Sequence, residues 1–319
     1  MSTLHGYLAF PDFLEDLRAE LKFSGVKTKE MQVYGDLILV DSFKRKPVWA
    51  RNIWGSVERF EFASVGDAVK KLKALGLRWD VNSALHRRRA ELIARELRVQ
   101  KFPPLRFPDD PMPSKPLGSF MLIGENELIA SAHCSQTLPQ GEMTFQEDRD
   151  APPARAYLKL WEILTRLGRR PGPGDSCIDL GSCPGGWTWV IARLGAHVTS
   201  VDRSEIAREV LALPGVQFRQ GNAFTLDPAI FPKLDWIFSD VISEPQKILE
   251  LAQRWLPVHP DASYICSVKF KGETDFGVMA ALQRIKGSQM IHLNQNKHEV
   301  TWVRLGTSAA SVPGQNTVS

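Results

Sequence analysis

The chain lacks the features that would tie it to a membrane, a metal or an oxidising compartment. No apolar run approaches the roughly 20 residues that a bilayer span requires. The opening stretch, MSTLHGYLAFPDFLEDLRAEL, carries acids where an export signal would be apolar. Only four cysteines occur, Cys134, Cys177, Cys183 and Cys266, and none forms a C-x-x-C pair. They read as reduced core residues rather than a disulfide framework. The seven histidines show no ligand spacing, so no metal is expected. These absences give the expectation of a soluble, cytoplasmic protein without internal repeats, and nothing in the pattern fixes an oligomeric state.

Strong charge of one sign is also missing, since the net charge is +4. The excess is uneven, however. Residues Arg51 to Lys101 hold twelve Lys and Arg against six acids, whereas Phe102 to Asp150 hold three against eight. A locally basic chain suits a protein that touches nucleic acid at one place, although a solvated helix face explains the same run.

At 319 residues with 43% hydrophobic composition, the chain can fill two cores. YLAF reads as a strand and PDFLEDLRAEL as a helix, with a strand pair near Tyr34 to Val40. Helices are expected at Ser64 to Leu75, where Ser64 and Asp67 form a capped start, and at Ser83 to Val99. The second helix carries HRRR at 86 to 89, with Arg95 and Arg98 beyond. Six prolines within Phe102 to Pro116 suggest a semi-rigid connector. The expected organisation is a smaller α+β domain over 1–101, a linker over 102–116, a second domain over 117–307, and a disordered polar tail over 308–319. A hairpin at Leu117 to Ile123 and Glu127 to Ala132 fits either domain by pattern and is placed with the second.

The second domain is organised around CIDLGSCPGGWTWVIARLGAHVTSVD, residues 177 to 202. It reads strand, glycine turn, helix, strand. Glycines let the backbone turn sharply and approach a ligand, and the helix that follows aims its first N–H groups at the same spot. Asp202 ends the second strand, where an acid can hold a ribose hydroxyl pair. The spacing is G-x-x-x-G-G rather than the G-x-G-x-x-G of dinucleotide enzymes, with Pro184 fixing the turn. A nucleoside without a pyrophosphate fits this spacing, and S-adenosylmethionine meets the description. Strands and helices then alternate to Lys286, and two final strands, 289–293 and 299–305, close the domain. The expected fold is α/β, a Rossmann-like parallel sheet with an antiparallel terminal hairpin.

Ligands of open α/β sheets lie outside the carboxyl ends of the strands. Asp240 ends DWIFSD, Lys269 ends SYICSVK, and Glu299 opens an antiparallel strand at the same edge. Lys159, in the helix ahead of the first strand, can reach that edge too. Two lysines and two acids converging beside a nucleoside pocket are an unusual gathering for structure alone.

These segments resemble a known family. ARAYLKLWE, DLGSCPGGWTW, SVD, SDVISEP, VKFK and HEVTWVRL are similar to the motifs of the FtsJ-like ribose 2′-O-methyltransferases, and most closely to the RlmM family, which methylates a cytidine of 23S ribosomal RNA. The resemblance covers about Pro152 to Leu305. It implies that Lys159, Asp240, Lys269 and Glu299 form the catalytic tetrad, with Lys269 as base, assisted by desolvation and by the neighbouring Lys159 cation. It also implies a cofactor site for S-adenosylmethionine made by Asp179, Gly181, Ser182, Cys183, Pro184, Gly185, Gly186, Trp187, Asp202, Asn222 and Asp240. Three positions depart from the family: Asn222 replaces an acid near the adenine, Ala156 a serine, and Phe270 follows the catalytic lysine. Ahead of Pro152 only ARNIW at 50 to 54 and the region near Pro103 to Phe145 suggest kinship, and the family's amino-terminal RNA-binding THUMP domain is not recognisable from the sequence. The implied partner is RNA, above all 23S rRNA, with cap ribose methylation or non-catalytic RNA binding as alternatives. Base methylation is disfavoured, because SDVI stands where adenine enzymes carry N-P-P-[YF] and no cysteine ends the fourth strand.

Overall fold

The computed structural model describes residues 3–41, 46–115 and 117–307; the tail expected from 308 lies outside these. The chain forms two units. One runs to Leu105 and resumes at Met112–Thr144, and the other comprises Arg106–Pro111 and the chain from Phe145 on.

The first unit has two sheets. Strands β1 (Leu4–Ala9), β2 (Gln32–Tyr34), β3 (Leu37–Asp41), β4 (Ala50–Gly55) and β9 (His133–Cys134) form one, in the order β2-β3-β1-β4-β9. Strands β5 (Glu58–Glu61), β6 (Trp79–Asn82), β7 (Gly118–Gly124) and β8 (Glu127–Ser131) form the other, in the order β5-β8-β7-β6. Helices α1 (Leu14–Phe23), α2 (Val65–Leu75) and α3 (Arg87–Leu97) complete the unit. The expected cap on α2 is present: Ser64 Oγ accepts from Asp67 N at 3.2 Å, and Asp67 Oδ2 accepts from Ala63 N at 3.0 Å. Phe62, Leu72, Trp79, Ile93, Phe120 and Leu128 belong to one core cluster, so α2 and α3 bury their apolar stripes on the four-stranded sheet.

The expected boundary at 102–116 needs correction. The hairpin β7–β8 does not start the second domain, because β8 pairs antiparallel with β5 and β7 pairs parallel with β6. Its backbone groups and its apolar face are therefore satisfied in the first unit. Nor is the proline-rich stretch a free connector. Phe107 stacks on Trp161 at 5.0 Å, and Arg170 Nη1 donates to Pro108 O at 2.8 Å, which ties residues 106–111 to the second unit.

The second unit is a seven-stranded sheet of β10 (Ser176–Leu180), β11 (His197–Asp202), β12 (Val216–Gln220), β13 (Trp236–Ser239), β14 (Ser263–Lys269), β15 (Ser288–Ile291) and β16 (Glu299–Arg304), ordered β12-β11-β10-β13-β14-β16-β15. Helices α4 (Tyr157–Leu167), α5 (Gly186–Arg193), α6 (Arg208–Leu211), α7 (Pro245–Trp255) and α8 (Phe276–Gln283) alternate with the strands. Strands β10 to β14 are parallel neighbours. Apolar runs such as CIDL and WIFS are buried as strands covered on both faces must be. The expected antiparallel terminal hairpin is present at one edge of the sheet, with β16 between β14 and β15 and antiparallel to both. That placement brings its first residue, Glu299, opposite the last residue of β14, Lys269. No described helix is long and apolar enough to cross a membrane.

Candidate active site

The sheet order places the chemistry along one edge. Asp202 ends β11, the glycine turn follows β10, Asp240 follows β13, Lys269 ends β14 and Glu299 opens β16. Gly181 has φ +80°, and a Cβ there would lie 2.5 Å from Val241 Cβ. The turn after β10 thus packs directly on the residue after Asp240, and only glycine fits. Gly185 has φ +111°, a conformation that favours glycine, and a Cβ there would lie 3.2 Å from Val210 Cγ1.

Lys159, Asp240, Lys269 and Glu299 come together as expected from their positions. Lys159 Nζ lies 2.8 Å from Asp240 Oδ1 and 2.9 Å from Glu299 Oε1. Lys269 Nζ lies 3.1 Å from Asp240 Oδ1, donates to the Asp240 carbonyl at 2.6 Å, and is 3.9 Å from Glu299 Oε2. Burial opposes charge on both Lys159 and Asp240, but the ion pairs outweigh it: the carboxylates of Asp240 and Glu299 hold the Lys159 ammonium above its ordinary range, and Lys159 and Lys269 hold the Asp240 carboxyl below its own. The two lysines are not equivalent. The Lys159 side chain is 10% exposed and saturated by carboxylates, whereas that of Lys269 is 21% exposed. Lys269 is thus the more exposed of the two lysines.

The glycine turn offers groups for a polar ligand. Ser182 Oγ is buried and has no hydrogen-bond partner among the described residues, so a ligand that supplies one fits here. Asp202 stands at the rim, its Oδ2 accepting from Cys183 N at 3.0 Å and its Oδ1 from Ser204 N at 3.0 Å. Each oxygen keeps a lone pair for a ribose hydroxyl. Cys183 and Pro184 are exposed on the turn, and Gly185 and Gly186 are buried at the start of α5.

Two expected cofactor residues, Trp187 and Asp179, are placed otherwise than a ligand contact by the side chain requires. Trp187 is buried, its Nε1 donating to Ala156 O at 2.9 Å and its ring meeting Phe238 edge-on at 6.3 Å. Its indole serves the core, and only its backbone can face the turn. Asp179 lies beneath the turn, where Oδ2 accepts from Thr188 Oγ1 at 2.7 Å and Thr188 in turn meets Ser200 Oγ at 3.0 Å. Asn222 uses Oδ1 to accept from Phe224 N at 3.0 Å, which leaves Nδ2 as its outward donor. Sequence spacing gave no role to Thr188 or to Ser200. Their signal, polar residues inside otherwise apolar segments, is common to many satisfied core hydroxyls.

In the first unit, Arg88, Arg95 and Arg98 are exposed on α3 and its C-terminus. Arg87 pairs with Glu91 at 2.8 Å, and Arg89 lies over Phe62 at 5.3 Å. The basic face is therefore partly neutralised and partly open.

Residues 153–273 match the family described as FtsJ-like methyltransferase. Ribosomal RNA large subunit methyltransferase M of Halorhodospira halophila is 39% identical over 121 residues, which are 37% of this chain and 35% of that protein. The protein of the same name from Xanthomonas axonopodis pv. citri is 34% identical over 157 residues, covering 46% of this chain and 44% of its own. The matched stretches span less than half the length of either relative. A solved structure of TrmN from Thermus thermophilus aligns over 94% of this chain and 98% of its own at 14% identity, with a TM-score of 0.38.

Proposed function

We propose, on the premise that residues 153–273 carry an FtsJ-like methyltransferase domain, that this chain is an S-adenosylmethionine-dependent RNA ribose 2′-O-methyltransferase acting in the cytoplasm on a cytidine of 23S rRNA. The observation that carries the proposal is the convergence of Lys159, Asp240, Lys269 and Glu299 at the strand edge that also bears the glycine turn and Asp202.

When bound, the cofactor supplies an electrophilic methyl group on a sulfonium. Asp202 would hold the ribose hydroxyls, Ser182 and the first amides of α5 would bind the polar end, and Asn222 Nδ2 would donate to an acceptor of the adenine. Lys269 Nζ, as the neutral amine, would take the proton from the target O2′, the oxygen that receives the methyl group. Asp240 orients Lys269 through both its carboxylate and its carbonyl. Lys159, tied to both acids, keeps them from collapsing onto Lys269. Positioning and proton removal of this kind contribute about 10²–10⁴-fold from the base, with further gains from alignment.

The exposed arginines of α3 support a role for the first unit in gripping the RNA backbone. The test is transfer of labelled methyl from S-adenosylmethionine to rRNA that lacks its own modification, followed by nucleoside mapping. Cofactor binding without transfer to any RNA would instead favour a non-catalytic binding protein, and label confined to capped RNA a cap methyltransferase.

A further inference from the structure

Helix α4 is buried from Tyr157 to Thr165. A carboxylate inside such a helix is costly unless each oxygen is satisfied. Glu162 is fully buried at 0% exposure. Its Oε1 accepts from Arg166 Nε at 2.9 Å and lies 2.8 Å from Arg166 Nη2, while its Oε2 accepts from Asn294 N at 2.9 Å. Arg166 Nη2 also donates to Asn294 Oδ1 at 3.1 Å. Arg166 is a neighbour on the same helix. Asn294 is not: it belongs to the segment between β15 and β16 that ends at Glu299.

One turn earlier on α4, Lys159 Nζ reaches Glu299 Oε1 at 2.9 Å and Asp240 Oδ1 at 2.8 Å. The helix therefore grips the segment 294–299 at two points, Glu162 at Asn294 and Lys159 at Glu299. Between them, Asn296 Nδ2 donates to the Glu299 carbonyl at 3.2 Å and so ties the segment to its own end. A shift of α4 along or around its axis would break the Glu162 contact and move Lys159 away from Glu299 in the same motion.

From this we infer that Glu162 is a positioning residue for the methyl transfer proposed above, a role that rests on that proposal. It touches no reacting atom. Its carboxylate fixes the height and rotation of α4 against the 294–299 segment, and through Lys159 and Glu299 it sets the cage in which Lys269 works.

The test is a kinetic cycle with the full chain, labelled S-adenosylmethionine and unmodified large-subunit rRNA, with excess enzyme in single-turnover mode so that slow variants remain readable. Glu162→Gln is expected to lower the rate at least about tenfold, while its cofactor Kd by calorimetry stays within about twofold of wild type. Because both residues act on one geometry, Glu162→Gln combined with Glu299→Gln is expected to be no more than about twofold slower than Glu299→Gln alone. A rate that falls only with the folded fraction, or losses that multiply in the double variant, would overturn the inference. If Glu162→Gln does not fold, Arg166→Lys carries the same test: it keeps the charge beside Glu162 but loses the fork. The expected loss is then about threefold and again not additive with Glu299→Gln, and an unchanged rate overturns the inference. A wild-type chain that binds the cofactor and methylates no RNA overturns the parent reading and this one with it, which separates that failure from a Glu162 variant that works as well as wild type.

Discussion

Lys269 and Glu299 are register partners across the β14–β16 ladder, yet their charged atoms lie 3.9 Å apart, while Lys159, from a helix 140 residues away in sequence, takes Glu299 at 2.9 Å. The acid nearest to Lys269 by backbone pairing is thus bound first to another lysine. Lys269 is left held by Asp240 and open on one side.

Substituting the two lysines therefore has different consequences. Lys269→Ala should abolish transfer while cofactor binding by calorimetry and the unfolding temperature stay close to wild type. Lys159→Ala removes the cation shared by the buried Glu299 and the part-buried Asp240, and breaking such a pair costs at most about 3–5 kcal/mol. It should abolish transfer and also lower the unfolding temperature clearly more than Lys269→Ala. Equal melting shifts for the two variants would contradict the division of roles.

Gly181→Ala tests the turn. The residue combines φ +80° with Val241 Cβ at 2.5 Å from the added methyl. The expected loss is about 1–3 kcal/mol of stability, together with at least about tenfold weaker cofactor binding, because the turn must move away from Val241. Thermal unfolding and calorimetry on the same sample would measure both. An alanine variant with wild-type affinity would mean that the turn does not shape the pocket.

Asp179 gives a pH dependence with a definite sign. Burial lifts its carboxyl from the ordinary range to about 7, with the Thr188 hydrogen bond opposing. Between about pH 4 and pH 7 the folded chain keeps a proton that the unfolded chain releases, so this group's contribution to stability is present in acid and is lost as pH rises through that window. Asp179→Asn removes the loss, worth at most about 4 kcal/mol. The unfolding temperature of the variant minus that of wild type, without cofactor, should be larger at pH 8 than at pH 5. A difference that does not change with pH would show that the Asp179 carboxyl is not raised.

The arginines of α3 are expected to act on RNA rather than on chemistry. Replacing Arg88, Arg95 and Arg98 together by Gln should weaken RNA binding and flatten its salt dependence, since fewer counterions are released. The cofactor Kd should not move. Titrations of labelled rRNA at several salt concentrations would measure this, and an unchanged salt slope would return α3 to the status of a solvated surface helix.

Much of the second unit was legible in the sequence because its strands are buried on both faces and read as short apolar runs, with glycines and acids at their ends. Three of the four clustered residues were legible for the same reason: Asp240, Lys269 and Glu299 are polar residues at the tips of apolar segments. Legibility stopped where tertiary contacts decide. Trp187 opens a helix beside the turn, and its bond to Ala156 O, 31 residues back, together with its ring contact with Phe238, shows that it belongs to the core. The hairpin β7–β8 was visible as a hairpin, but its partners β5 and β6, ERFE and WDVN, are four-residue strands whose pattern is broken by charge. Asp80 within WDVN is buried because Gln140 N donates to it at 2.7 Å, a contact across 60 residues that no local pattern signals. Glu20 is a similar case, accepting from the amides of Val48 and Trp49 at 2.9 Å each.

The most direct measurement is a side-by-side assay of wild type and Lys269→Ala with labelled S-adenosylmethionine and 23S rRNA lacking its own modification, followed by digestion to nucleosides. The expected result is 2′-O-methylcytidine from a single site with wild type, none with the variant, and equal cofactor binding by both. Label on a base rather than a ribose, or equal labelling by the two proteins, would contradict the assignment of Lys269 as the base of a ribose methyltransferase.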